Sequence, residues 1–128
     1  MNTGGVWEVS GTDEFAAWYG SLDAKDQSKV DERVELLTQG GPALRRPVVG
    51  EITMSAYKNM KELRAKSGRA HLRVLFIFDP RREAILLLGG DKAEDSQWNE
   101  WYVTAVPMAD ALYEDYLAEN GQADEEKN

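Results

Sequence analysis

Apolar residues in the first third of the chain recur at helical spacing. Val6–Val9 alternates between apolar and polar residues, which predicts a short first strand. Beyond it, apolar residues stand at i, i+3, i+4 and i+7: Phe15, Trp18, Tyr19 and Leu22. Ser10 or Thr12 precedes this stripe and can cap a helix, because a hydroxyl accepts a hydrogen bond from a free N–H of the first turn. The pattern therefore predicts a strand followed by an amphipathic helix.

A second helix is predicted to begin at Asp23, another residue type that caps helices. Its apolar positions again recur at helical spacing: Val30, Val34 and Leu37. Gly40-Gly41-Pro42 ends it, because glycine accepts a left-handed backbone and proline cannot continue a helix. The next segment, Pro42–Ser55, has little periodicity and is interpreted as a long connecting loop.

The middle of the chain changes to the period of strands. Tyr57–Arg64 alternates roughly, and a glycine-containing turn follows at Lys66–Arg69. His71–Phe78 is rich in β-prone residues and ends at the turn Asp79–Arg82. Glu83–Leu88 is a near-continuous apolar run, typical of a central strand buried on both faces. Three strands joined by short turns predict an antiparallel meander.

A third helix is predicted after the meander, capped by Asp95 or Ser96. Its first apolar face comprises Trp98, Trp101, Tyr102 and Ala105. Pro107 should kink or restart the helix, with a second set of inward residues: Ala109, Leu112, Tyr116 and Leu117. The order β-α-α-β-β-β-α predicts an α+β fold in which an antiparallel sheet packs against helices. We expect one domain over residues 1–120 and a polar tail at 121–128.

The composition narrows the possible chemistry. The chain has no Cys and one His, so we expect no disulfide, thiolate nucleophile, metal site or other cofactor. The glycine pairs Gly40-Gly41 and Gly89-Gly90 lack the spacing of nucleotide-binding loops. No apolar run approaches the roughly 20 residues of a membrane span. The first 11 residues have neither a basic nor an apolar segment, so secretion is not expected and the cytoplasm is the expected compartment.

Charge is distributed unevenly along the chain. The formal net charge is −8, which alone argues against a nucleic-acid partner. Residues 41–82, however, contain ten Lys or Arg and three Asp or Glu, whereas the rest contains five and twenty. This basic centre is either a face that binds a polyanion or a set of solvated strand residues. Arg45 and Arg46 fall in the predicted loop and are interpreted as docking residues.

The ordered motifs of the second half resemble the RelE/HigB superfamily of type II toxins. KNMKELR (58–64) and HLRVLFIFDPRREAILLLGGDK (71–92) are similar to the HigB-like branch, in which an E-L-R strand precedes an R-[VL]-[LF] strand and a G-[GF]-x-K exit. The continuation at 98–117 looks like the actinobacterial form of that branch. The resemblance covers nearly the whole chain. It implies a RelE-like small RNase fold that cleaves messenger RNA, usually on the ribosome, and a cognate antitoxin, commonly a helix-turn-helix protein.

The resemblance also implies candidate catalytic residues. Arg73 matches the arginine that the family uses to stabilise transition-state charge, and Arg64 should lie across the hairpin from it. Lys92 falls at the family's second basic position, where many relatives have arginine. The alternative for Arg73 is a cross-strand ion pair with Glu62 or Glu83.

Further residues are candidates for substrate binding: Lys58, Lys61, Arg69, His71 and Trp98. The alternative for the two lysines is that they are ordinary solvated side chains, and the alternative for His71 is a half-buried structural residue. Trp98 can stack on an unpaired base or belong to the helix face. It cannot serve as an acid or base, so the role of the family's tyrosine does not transfer to it. Glu62 either orients Arg64, acts as a base or forms an ion pair.

Three functional hypotheses follow. The first is a metal-independent endoribonuclease toxin that cuts messenger RNA. The second is a non-catalytic module with the toxin fold that docks an antitoxin or nucleic acid. The third is a regulator that acts with its partner at its own promoter.

Overall fold

The computed structural model describes residues 7–92 and 100–120. Its elements are β1 (Glu8–Gly11), α1 (Asp13–Ser21), α2 (Ala24–Gly40), β2 (Val49–Glu51), β3 (Met60–Ser67), β4 (Ala70–Asp79), β5 (Glu83–Asp91) and α3 (Glu100–Glu119). A short 3₁₀ turn, Gly41–Ala43, follows α2. The predicted α+β class is confirmed, as are the two helices after the first strand and the three-stranded meander.

The strands form one sheet in the order β1-β5-β4-β3-β2. Neighbours from β2 to β5 are antiparallel, but β1 lies parallel to β5, with Glu8 opposite Glu83. The prediction of a wholly antiparallel sheet is therefore wrong at this edge. The residue pattern of β1 carries no information on its direction; that direction depends on the helical crossover that takes the chain to the opposite edge.

The strand β2 lies inside Pro42–Ser55, so the loop prediction is wrong for Val49–Glu51. Three residues are too few to show a period of two, and what defines β2 is its pairing with β3, where Gly50 faces Glu62. The first strand also begins later than predicted, at Glu8.

The predicted helix caps are largely confirmed. Thr12 accepts a hydrogen bond from the Phe15 N–H at 3.0 Å, and Asp23 accepts one from the Asp26 N–H at 2.8 Å. Gly41 ends α2 with a φ of 52°. The prediction that Pro107 restarts the helix is wrong, because α3 runs through it as one element. Asp95, Ser96 and Trp98 lie outside the described residues.

The sheet separates two apolar cores. α1 and α2 cover one face, where Phe76 and Leu86 are buried, and α3 covers the other, where Leu75 and Tyr113 are buried. Because side chains alternate along a strand, Arg73 lies on the same face as Leu75 and therefore on the α3 side. Within residues 7–92 and 100–120, no helix has both the length and the apolar character to cross a membrane.

Candidate active site

Two arginines meet across the central hairpin. Arg64 of β3 lies directly opposite Arg73 of β4, and Arg73 in turn lies opposite Gly90 of β5. Residues in register on neighbouring strands project to the same face of a sheet, so both guanidinium groups lie on the α3 side. Like charges placed directly opposite each other are destabilising, and this position therefore needs a nearby anion.

Glu62 supplies that anion. It lies two residues before Arg64 on β3 and is only 2% exposed. Its Oε2 accepts hydrogen bonds from Arg64 Nε at 3.0 Å and Nη2 at 2.7 Å, and its Oε1 lies 3.5 Å from Arg73 Nε. Glu62 thus orients Arg64 and is also the ion-pair partner of Arg73. The other proposed partner, Glu83, lies opposite Asp79, which is six residues further along β4 than Arg73.

The helix α3 adds a hydroxyl to this cluster. Tyr102 donates a hydrogen bond to Glu62 Oε1 at 2.6 Å. Lys92, just beyond β5, places its Nζ 3.5 Å from the Tyr102 hydroxyl and 5.2 Å from the centre of the ring. We call Glu62, Arg64, Arg73, Lys92 and Tyr102 the Glu62 cluster. The three residues predicted to be catalytic are therefore brought together.

The surroundings of the cluster change the ionisation of two of its members. Burial, and next the hydrogen bond to Glu62, raise the pKa of Tyr102 to about 12. Burial, and next the positive charge of Arg73, lower the pKa of Lys92. Tyr102 is therefore a protonated donor at neutral pH, whereas Lys92 gives up its proton more easily than an exposed lysine.

Two glycines make room for the cluster. A Cβ at Gly50 would lie 2.7 Å from Arg64 Nη2 and 2.8 Å from Glu62 Oε2. A Cβ at Gly90 would lie 2.4 Å from Nε1 of Trp101, whose ring packs against the α3-side core. Because Gly50 has no side chain, the Glu62–Arg64 salt bridge can lie close to β2. Because Gly90 has none, the start of α3 can lie close to β5.

Two of the predicted substrate-binding residues lie toward the β3–β4 turn. His71 precedes Arg73 by two residues on β4, on the same face, and its backbone N–H donates to the Asp91 carboxylate at 2.9 Å. Arg69 is exposed in the turn itself. Arg69 extends the positively charged surface beyond the cluster toward this turn.

The two predicted lysines lie elsewhere. Lys61 is adjacent to Glu62 on β3 and therefore projects to the opposite face, where its Nζ lies 2.9 Å from Glu51 Oε1. Lys58 is exposed in the turn before β3, six residues before Arg64. The structure does not bring either lysine to the Glu62 cluster.

Tyr102 was not among the predicted site residues. Its spacing from Trp101 and Ala105 predicted a residue packed on the sheet, which is what its ring does. A helical period reports which face is buried but does not report what the polar tip of a tyrosine meets. That contact depends on the distance between α3 and β3.

Comparisons with known proteins place the chain in a family. Residues 17–114 match the model of the phage-derived Gp49-like proteins. The chain belongs to this family. Two proteins of Mycobacterium tuberculosis named as toxins are close relatives: HigB3 is 45% identical over 101 residues, covering 79% of this chain and 85% of HigB3. HigB2 is 41% identical over 108 residues, covering 84% of this chain and 53% of HigB2.

The RelE/HigB resemblance is thereby confirmed, although the chain spans only about half the length of HigB2. Two solved toxin–antitoxin complexes have a similar fold. One is RelBE2 of Mycobacterium tuberculosis, with a TM-score of 0.52 and 16% identity, covering 69% of this chain and 93% of the matched chain. The other is the RelE–RelB complex of Pyrococcus horikoshii, with a TM-score of 0.50 and 17% identity, covering 67% and 94%. At this identity the likeness shows the RelE fold alone.

Proposed function

We propose that the protein is the toxin component of a type II toxin–antitoxin system and acts as an endoribonuclease on messenger RNA, with the Glu62 cluster as its active site. The HigB relatives support the toxin assignment. The assignment of the active site rests on the convergence of Arg64, Arg73 and Lys92 around a single carboxylate, that of Glu62. Among the described residues of the cluster, three cations stand against one acid, and this excess of positive charge suits a phosphate group.

The arginines would stabilise charge during cleavage. The RNA 2′-hydroxyl attacks the adjacent phosphorus in line, and negative charge accumulates on the non-bridging oxygens. Guanidinium groups suit these oxygens because their N–H donors form a planar fork and remain protonated. Arg73 Nη1 donates a hydrogen bond to the Leu72 carbonyl at 3.0 Å and its Nε faces Glu62 Oε1 at 3.5 Å, so the guanidinium group is held in one orientation. Preorganised donors of this kind contribute roughly 100- to 1,000-fold to a rate.

Lys92 and Tyr102 would move the protons. In molecules whose Lys92 amine is neutral, a state that its lowered pKa favours, Lys92 would accept the proton of the 2′-hydroxyl as the new P–O bond forms. Tyr102, which is protonated at neutral pH, donates its proton to the 5′-oxygen as the P–O5′ bond breaks. The products are a 2′,3′-cyclic phosphate and a 5′-hydroxyl. The 3.5 Å contact between the two groups lets Lys92 return its proton to Tyr102 and reset the site.

The proposed partners are a cognate antitoxin, expected to be a helix-turn-helix protein, and messenger RNA held by the ribosome. The charge distribution supports selective docking. Positive charge is concentrated between residues 41 and 82, and the acidic remainder of the chain repels nucleic acid. RNA would therefore approach in a restricted set of orientations.

The test is controlled expression of the wild type, Arg73→Ala and Arg81→Ala. Arg81 is a matched control because it lies in the turn at the far end of the sheet, with its side chain 49% exposed. The wild type and Arg81→Ala should arrest growth and cut transcripts on translating ribosomes, and Arg73→Ala should be about 100-fold weaker or more. If Arg73→Ala arrests growth as strongly as the wild type does, Arg73 does not belong to the active site. A wild type that binds its antitoxin but neither arrests growth nor cuts RNA would support the binding-module hypothesis.

A further inference from the structure

We propose that Glu62 is a positioning residue, which holds Arg64, Arg73 and the Tyr102 hydroxyl in place without exchanging a proton itself. This inference rests on the proposed nuclease function and assigns the one acidic residue of the site. The alternative role for Glu62 is that of a general base, and this proposal excludes it.

The first argument is depth. The Glu62 side chain is 3% exposed, whereas those of Arg64 and Arg73 are 24% and 9% exposed. Glu62 is therefore the least exposed of the three side chains. A base must reach the substrate hydroxyl directly or through one water molecule, and this position does not allow it.

The second argument is occupancy. Oε2 accepts both hydrogen bonds from Arg64. Oε1 accepts the hydrogen bond from Tyr102 at 2.6 Å and faces Arg73 Nε at 3.5 Å. Within the described residues, each hydrogen bond and ion pair of the carboxylate is with a group that we place in the reaction. One buried anion thus connects β3, β4 and α3 at the point where phosphate would bind.

The third argument is charge. Arg64 and Arg73 lie directly opposite each other, and removing a buried counter-charge from such a pair is strongly unfavourable. Glu62 compensates one positive charge, so the cluster still has an excess of cations for substrate. The absence of a side chain at Gly50 supports this assignment, because a Cβ there would lie 2.8 Å from Glu62 Oε2.

The role predicts an effect on Tyr102 that is independent of cleavage. Its hydroxyl is faced by Glu62 from β3, Arg73 from β4 and Lys92 from the end of β5. After burial, the hydrogen bond to Glu62 and its negative charge are what raise the pKa of Tyr102 to about 12. Replacing the carboxylate by a neutral amide should therefore lower that pKa.

The experiment compares Glu62→Gln with Glu83→Gln in the full chain. Glu83 is a matched control because it accepts a hydrogen bond from another α3 tyrosine, Tyr116, at 3.0 Å. Tyrosines labelled with ¹³C at Cζ are titrated by NMR, and the Tyr102 signal is assigned as the one missing from Tyr102→Phe. Single-turnover cleavage of ribosome-bound messenger RNA is measured in parallel.

Glu62→Gln should lower the pKa of Tyr102 by about one unit or more and slow cleavage about 100-fold at saturating substrate. Glu83→Gln should leave both unchanged. An unchanged Tyr102 pKa in Glu62→Gln overturns the inference, even if the rate falls, because a loss of rate alone indicates only structural damage. An unchanged rate also overturns it.

Two further outcomes are decided by the wild type. If Glu62→Gln does not fold, the titration of Tyr102 in the wild type decides: a pKa near the ordinary value of 10.0 contradicts the proposed contact, and one near 12 supports it. If the wild type does not cleave RNA, the proposed function fails, while the titrations still show whether Glu62 controls Tyr102.

Discussion

Each end of α3 is fastened to the sheet by a tyrosine that donates a hydrogen bond to a glutamate. At the start of the helix Tyr102 donates to Glu62 at 2.6 Å, and near its end Tyr116 donates to Glu83 at 3.0 Å. In both cases burial and the glutamate raise the pKa of the tyrosine. The two contacts are chemically the same, and each holds the helix against a strand.

The charges around the two contacts differ. We call Ser10, Asp79, Arg81, Glu83 and Tyr116 the Glu83 cluster. It contains one cation and two acids, whereas the Glu62 cluster contains three cations and one acid. Each Tyr–Glu contact therefore holds this helix in the same way, and we propose that the surplus of cations is what adapts one end to bind a phosphate. The predictions below test that difference.

The largest effect is expected for Arg73→Lys. Lysine retains the positive charge but lacks the planar fork that matches two phosphate oxygens. We expect a roughly 100-fold slower single-turnover cleavage of ribosome-bound messenger RNA. Arg81→Lys, the corresponding change in the Glu83 cluster, should remain within about two-fold of the wild type. A comparable loss in both variants would mean that the two ends do not differ in function.

The next effect separates the two tyrosines. Tyr102→Phe should slow cleavage by roughly 10- to 100-fold, since it removes the proposed proton donor. Tyr116→Phe should leave cleavage unchanged and lower the free energy of unfolding by about 1 kcal/mol. Rates and urea unfolding of both variants are to be measured together. If Tyr102→Phe cleaves RNA at the wild-type rate, the Tyr102 hydroxyl takes no part in the mechanism.

A smaller effect on activity is expected from two adjacent glycines of β5. A Cβ at Gly89 would lie 2.2 Å from Trp18 on the α1 face, and one at Gly90 would lie 2.4 Å from Trp101 on the α3 face. Both alanine variants should lower the free energy of unfolding, by about 1–3 kcal/mol. Only Gly90→Ala displaces the start of α3, so only it should also slow cleavage, several-fold. Urea unfolding and cleavage rates of the two variants provide the check.

The smallest effect is the dependence of stability on alkaline pH. The folded pKa of Tyr102 is about 12, above its ordinary value of 10.0. Between these values the unfolded chain has already lost the proton that the folded chain retains, so the free energy of unfolding falls as pH rises. Tyr102→Phe should show a shallower decrease between pH 10 and pH 12 in urea titrations. Parallel curves for the two proteins would place Tyr102 at its ordinary pKa.

The spacing of apolar residues correctly predicted those helices and strands that are long enough to show at least one full repeat of that spacing. The stripe that includes Phe15 and Trp18 predicted α1, and the β-prone run His71–Phe78 predicted β4. The prediction was wrong for β2, because three residues contain too little periodicity, and for the direction of β1. Both features depend on strands distant in sequence.

The candidate site likewise has features that the sequence predicted and features that only the structure revealed. The motifs around Arg64 and Arg73, and the hairpin between them, were sufficient to predict that these two residues face each other, because register follows from a short turn. The sequence by itself thus determined the hairpin, its two arginines and the charge asymmetry. Only the tertiary structure decided that Glu62 pairs with both arginines and that Tyr102 of α3 reaches the same carboxylate. These facts depend on the packing of a helix against a sheet over many residues, and no local pattern of residues encodes that distance.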